Sequence, residues 1–224
     1  MYKAKILGKR YVTEARDVVE VRMSKCLSSY KPGQHIRIYI DCDDAKRFRE
    51  MNLTSIPDDD HLSFAFRVSD SIWKRRMMML KPMDEVSING PYGIFTLPDK
   101  PSRIGMIASG IGVTPLISMV RYSIRKSMHE IALLYINKDR DTAPYIDELE
   151  SLACNNFRLF ELFSYSLKDI DEWIKDMSKD DYDDSMVEYW YVSGEPANVR
   201  AIRQMLLNSG IQSTSIKTEE FTGY

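Results

Sequence analysis

The chain is poor in cysteine: Cys26, Cys42 and Cys154 are the only three in 224 residues, far apart and with no CxxC pair. That spacing excludes a cysteine-held iron–sulfur cluster or structural zinc and provides no disulfide framework, which fits thiols in a reducing, cytoplasmic compartment. Histidine is as scarce, and His35, His61 and His129 fall at strand or loop positions where none is assigned a catalytic role. Long apolar runs are missing. The opening MYKAKILGKR has no apolar core segment, and the most apolar stretch, residues 104–120, is broken by Ser109, Gly110, Gly112 and Pro115. Neither a secretory leader nor a membrane span is therefore expected. Charge of one sign is absent as well: 31 basic against 33 acidic side chains leave a net charge of -2, which offers nucleic acid no global basic field. There is no internal repeat and no low-complexity tract.

What is present is ordinary globular composition, 44% hydrophobic and 29% charged, in a chain long enough for two domains with separate cores. The two halves have different rhythms. In the first, Ile36, Ile38 and Ile40 alternate with His35, Arg37 and Tyr39, and Leu62, Phe64, Phe66 and Val68 repeat the period of two. Further strands are expected over residues 4–7, 18–23 and 85–88, with turns at Lys31-Pro32-Gly33 and Asn89-Gly90-Pro91; only residues 71–80 look helical. The fold expected for residues 1–99 is a six-stranded antiparallel β-barrel. After the proline-punctuated stretch 97–101, strands over 104–108, 131–136, 157–163, 187–192 and 213–218 alternate with helices starting near Thr114, Ala143, Leu167 and Pro196. Residues 100–224 are expected to form a Rossmann-like, five-stranded parallel α/β domain of strand order 3-2-1-4-5.

The first α/β strand runs into Ser109-Gly110-Ile111-Gly112-Val113-Thr114-Pro115 and then a helix. Glycine there lets the backbone turn tightly and approach a pyrophosphate, the helix N-terminus supplies free N–H groups, and proline suits the first helical turn. Glycines at a strand-to-helix turn are often mere punctuation, but a second loop, Ser193-Gly194-Glu195-Pro196, also links a strand to a helix. In the expected strand order both loops flank the topological switch point, where ligands bind. Asn137, Lys138, Asp139 and Arg140 follow the second strand, where ribose selectivity is commonly decided. A carboxylate would bind a 2′-hydroxyl, Lys138 and Arg140 would pair a 2′-phosphate, and a solvated polar loop is the plain alternative.

Four stretches in order then resemble the ferredoxin–NADP reductase superfamily in its compact form, over nearly the whole chain. They are Pro32-Gly33-Gln34, Gly90-Pro91-Tyr92-Gly93-Ile94-Phe95, the Ser109 to Pro115 loop as the family's GxGxxP, and the terminal Glu220-Phe221-Thr222-Gly223-Tyr224. The resemblance implies a flavin-binding barrel and a nicotinamide-nucleotide domain with the flavin at their junction. The family's RxYS motif is altered: Arg49-Glu50-Met51-Asn52, followed by Leu53 and Thr54, keeps the arginine but replaces tyrosine with Met51 and serine with Asn52. A thioether can still pack on an aromatic ring, at about 0.3–1.5 kcal/mol, and an asparagine amide can donate as serine would. A register using Phe48 as the aromatic residue stays open, as does a purely structural role for Met51.

The resemblance extends the cofactor-binding set to Arg67, Val68, Ser71, Trp73 and Lys74, where Lys74, Arg75 and Arg76 add charge that would meet a flavin pyrophosphate or an acidic electron carrier, a solvated basic face being the plain alternative. Gly90, Pro91, Tyr92 and Gly93 join it on the flavin side, and Gly110, Gly112, Val113, Thr114, Pro115, Gly194, Glu195 and Pro196 on the nucleotide side. Asn52, Ser193 (where the family has cysteine) and Tyr224 are the expected catalytic-side groups, Tyr224 by folding back over the flavin. The implied activity is hydride transfer from NADPH or NADH to FAD, preferred over FMN, with electrons passing to an acceptor such as ferredoxin. No metal is involved. The alternatives are a reductase that releases reduced flavin, and a non-catalytic nucleotide sensor or electron-transfer subunit.

Overall fold

In the computed structural model, residues 1–42, 47–163, 166–178 and 187–221 are described. The period-two half forms strands β1 (Tyr2–Tyr11), β2 (Val18–Ser24), β3 (His35–Tyr39), β4 (Phe48–Asn52), β5 (His61–Arg67) and β6 (Glu85–Tyr92). They make one antiparallel sheet in the order β4-β3-β6-β1-β2-β5. Alternation does what was expected of it, because Val19, Val21, Ile36, Ile38, Leu62 and Phe64 all enter one apolar core. The sheet rolls until its edge strands approach, yet outside the named strands they are joined by a single bridge, Leu53 to Phe64, so the barrel has an open seam. Helix α1 (Ile72–Met79) lies between β5 and β6, capped by Ser71, and buries Trp73 and Met77 in the barrel. Strand β4 is the element alternation did not mark, since Phe48-Arg49-Glu50-Met51 is only partly buried.

The second half forms β7 (Arg103–Ser109), β8 (Glu130–Asn137), β9 (Phe157–Phe163), β10 (Tyr189–Gly194) and β11 (Ile216–Glu220), all parallel, in the order β11-β10-β7-β8-β9. This is the expected doubly wound order. Helices α2 (Val113–Lys126) and α3 (Ile146–Leu152) cover one face, and α4 (Leu167–Met177) and α5 (Pro196–Asn208) the other. Two starts shift. Helix α3 begins three residues later than expected because Tyr145 holds a left-handed conformation, φ 61°, and β11 begins at Ile216 because residues 213–215 coil into a 3₁₀ turn.

The halves are not joined merely by a linker. Strand β2 sends Val19 and Val21 into the barrel and Val18 outward, where it joins Ala65, Phe95 and Leu97 in the core formed by β7 and α2. A continuous apolar seam therefore sets how the ends of the two sheets face one another.

Candidate functional site

A cleft of about 500 Å³ opens between the halves. Strand β4 carries Arg49, Glu50, Met51 and Asn52 into it, the end of β5 and the cap of α1 bring Arg67, Ser71 and Lys74, and the α/β domain contributes Ile111, Thr114 and the end of β11. At one end, like charges gather. Burial, and then the neighbouring charges of Arg49 and Arg67, hold the Lys74 ammonium below its ordinary range. Arg67 is partly compensated by an ion pair with Asp17 and reaches the Thr142 carbonyl at 3.4 Å. Such a group of cations beside a helix start is suited to a phosphate or pyrophosphate.

At the other end, the buried Asn52 amide donates to the Gly33 carbonyl at 3.3 Å. It also interacts with the Glu219 carboxyl, which burial pushes above the usual carboxylate range; the Asn52 hydrogen bond opposes that rise and the charge of Glu50 adds to it. Glu220 pairs with Arg200 at 3.1 Å, and the Phe221 amide donates to the Gly194 carbonyl at 2.9 Å, tying the chain's end to the second glycine loop.

The two loops touch as their places at the switch point require. A Cβ on Gly112 would lie 2.4 Å from the Ser193 carbonyl oxygen, so no other residue fits without moving the loops apart. Gly110 adopts φ 55° and lines a second cavity of about 420 Å³ together with Ser109, Asn137, Lys138 and Thr142. The Asn137 amide nitrogen is buried there with no well-formed hydrogen bond among the described residues, and Lys138 is exposed.

Of the residues expected from sequence, Arg49, Met51, Asn52, Arg67, Ser71, Lys74 and Thr114 line the cleft, and Gly110, Asn137 and Lys138 the second cavity. Others are placed differently. Leu53, Thr54, Val113 and Pro115 are buried in the framework, and Trp73 sits edge-on to Phe66 inside the barrel core. Val68 lies on the surface. Gly90, joined to Pro91 by a cis peptide, Tyr92 and Gly93 do not line the cleft; Tyr92 packs against His35, which does, with ring centroids 5.9 Å apart. The Arg140 guanidinium is held by Glu150 at 2.5 Å and Asp147 at 2.7 Å, so it anchors α3 rather than standing free for a phosphate. Ser193 is 1% exposed and its hydroxyl donates to the Gly112 carbonyl at 2.6 Å, so it ties the loops together instead of facing a ligand. Gly194, φ 152°, shares that contact, while Glu195 and Pro196 serve as cap and first residue of α5. Tyr224 lies outside the described residues. Sequence reasoning missed His35, Ile111 and Glu219. The signal for Glu219 was the sheet order itself, since the parallel register sets it opposite Ser193.

Residues 106–204 match the family described as oxidoreductase NAD-binding domain. The chain can be laid on the ferredoxin–NADP⁺ reductase of Plasmodium falciparum with a TM-score of 0.79 and 20% identity, covering 98% of this chain and 95% of that one. The chain has the ferredoxin–NADP reductase fold. The likeness drawn from the four motifs thus holds for the architecture. The fold recurs in a Malassezia yamatoensis flavohemoglobin solved with bound FAD and heme, TM-score 0.79 at 20% identity, covering 98% of this chain and 60% of that one. In sequence, the chain is 26% identical over 207 residues to the electron transfer component of 2-halobenzoate 1,2-dioxygenase from Burkholderia cepacia, covering 86% of this chain. It is 21% identical over 242 residues to a Bacillus subtilis flavohemoprotein, covering 98% of this chain. It spans 59% of the length of each of these two relatives. No helix among the described residues is long and apolar enough to cross a membrane.

Proposed function

We propose that this chain is a flavin-dependent NAD(P)H reductase module, in which residues 1–99 hold FAD and residues 100–224 hold the nicotinamide nucleotide. The observation that carries the reading is the junction cleft, with cations gathered at one end and the Asn52–Glu219 pair at the other. FAD, when bound, supplies the chemistry of accepting a hydride from the nicotinamide and passing electrons on.

The residues present fit that cofactor. Lys74 is crowded by Arg49 and Arg67, and a pyrophosphate would relieve the crowding while the start of α1 donates backbone N–H groups. Met51 lays a polarisable thioether on the cleft wall where the family has tyrosine. Asn52 orients by its amide, and Glu219, pushed up by burial, holds or releases a proton at its carboxyl. Gly110 and the buried Asn137 amide suit the phosphate and ribose of a nicotinamide nucleotide, and Lys138 is an exposed cation lining that cavity, Arg140 being engaged by carboxylates. Electrons would leave to a ferredoxin or another redox protein, a role supported by the names of the relatives. The free thiols agree with a cytoplasmic setting.

The test is reconstitution with FAD and anaerobic titration with NADH and NADPH in turn. Bleaching of bound flavin by at least one nucleotide is expected. Colourless protein that reduces free flavin would move the reading to a flavin-releasing reductase, and protein that neither binds nor reduces flavin would leave a nucleotide-sensing subunit.

A further inference from the structure

Helix α2 begins at the nucleotide loop and then runs along the barrel. Its residues Thr114, Ser118 and Arg121 lie at spacings of four and three, which puts them on one face over about 10 Å. Thr114 lines the cleft. One turn on, the Ser118 hydroxyl accepts the Gly33 amide of the barrel at 3.0 Å. Nearly one further turn on, the Arg121 guanidinium donates to the Thr54 carbonyl at 2.5 Å and grips Glu148 of α3 through both carboxylate oxygens, at 2.6 and 2.8 Å.

These two barrel segments are the ones that frame Asn52. Gly33 accepts the Asn52 amide on its carbonyl, the Leu53 amide donates to the Gln34 carbonyl at 2.9 Å, and Thr54 follows directly. Behind the Arg121 contact lies a satisfied buried carboxylate: Glu20 accepts from Arg10 at 2.6 Å, Tyr145 at 2.9 Å and Thr54 at 3.1 Å, with Arg121 at 3.8 Å. Tyr145 in turn closes the segment that begins at the Asn137 loop, and its amide donates to the Val12 carbonyl of the barrel at 2.9 Å.

We propose that Ser118 and Arg121 are positioning residues: they clamp α2 to the Gly33 and Thr54 backbones, so that one rigid helix sets the spacing between Asn52 and the nucleotide loop. The inference rests on the reductase reading above for its kinetic consequence, but the clamp itself is a property of the chain. Hydride transfer is steeply sensitive to distance, and a misplacement of about 1 Å can cost about a hundredfold. A side chain that touches neither cofactor can therefore govern the rate.

The test uses the full chain, reconstituted with FAD, as Ser118→Ala and Arg121→Lys, with Lys126→Ala as a control. Lysine keeps the charge of Arg121 but cannot make its fork to Thr54 and Glu148 at once. Lys126 pairs with Asp58 at 2.7 Å on the exposed rim of the same helix, where such pairs contribute little. Two readouts are taken: stopped-flow flavin reduction at saturating nucleotide, beside separate Kd values for flavin and nucleotide, and hydrogen exchange of the amides of residues 33 and 53. The expected result is a reduction rate lowered by about tenfold or more, Kd values changed by less than about threefold, and faster exchange at those amides, with the control unchanged. Variants that fold with native exchange there overturn the clamp, as does a rate loss that only follows loss of flavin or nucleotide binding. If the wild-type protein is not reduced by either nucleotide, the reductase reading falls with the kinetic role, while the exchange data still decide whether the clamp exists.

Discussion

Two regions of the molecule bury ionisable groups between the same two domains, and they do it in opposite ways. At the back of the seam, Glu20 is surrounded by Arg10, Arg121, Tyr145 and Thr54; burial pushes its carboxyl up, but the hydrogen bond from Arg10 and the charge of Arg121 outweigh it and hold the pKa below the ordinary value. At the front, in the cleft, like meets like. Burial first, and then the nearby Arg49 and Arg67 for Lys74 and the nearby Glu50 for Glu219, shift both groups toward their neutral forms. Opposite charges brought together and fully hydrogen-bonded fasten a structure, whereas like charges brought together disfavour the folded chain unless a ligand joins them. The contrast separates the fastened back of the seam from the proposed binding cleft.

Deleting a member of each set sharpens that difference. Glu20→Ala removes the buried acceptor of Arg10, Tyr145 and Thr54 and leaves Glu148 as the remaining counter-charge of Arg10 and Arg121, and a loss of about 1–3 kcal/mol is expected, seen as a Tm drop of several degrees. The pH dependence has a definite sign: because the folded pKa of Glu20 lies below its unfolded value of 4.5, its contribution is complete above that value and is lost as pH falls through the folded one. Glu20→Gln should flatten that acid limb in thermal melts, and an unchanged limb would break the comparison.

Lys74→Met should act in the other direction on stability. Flavin-free protein is expected to melt no lower than wild type, because a crowded cation has been removed, while FAD affinity measured by fluorescence falls about tenfold, the scale of one charge-assisted hydrogen bond. A variant that is both less stable and equally able to bind FAD would show Lys74 to be framework after all. The smallest effect is expected at Glu219. Its folded pKa is raised, so the folded state keeps a proton that the unfolded state has released, and stability declines as pH climbs from 4.5 through the folded value. Glu219→Gln should remove that decline in melts of flavin-free protein recorded across the mildly acidic range.

Much of the architecture was legible in the chain because periodicity reports burial directly. Ile36 and Ile38, or Leu62 and Phe64, can share a core only if their strands are half-buried, and glycines at 110 and 112 after an apolar strand mark a tight turn into a helix. Strand β4 escaped because its side chains belong to the cleft and are only partly buried, so they carry no alternation. Site roles were read less evenly. Lys74, Arg49 and Asn52 line the junction cleft, but Ser193 and Arg140 are spent on contacts with Gly112 and with Asp147 and Glu150.

By itself, then, the amino-acid order determined the two classes of sheet, the strand order of the parallel one and the loops at its switch point, because hydrophobic period and turn chemistry act over a few neighbouring residues. Only the tertiary structure decided which polar groups are free and which are consumed. Arg121 meets Thr54 across 67 positions and Tyr145 meets Glu20 across 125, and no local pattern encodes a partner so far along the chain. A side chain's chemistry depends on what lies opposite it, and that is settled when the domains close on one another.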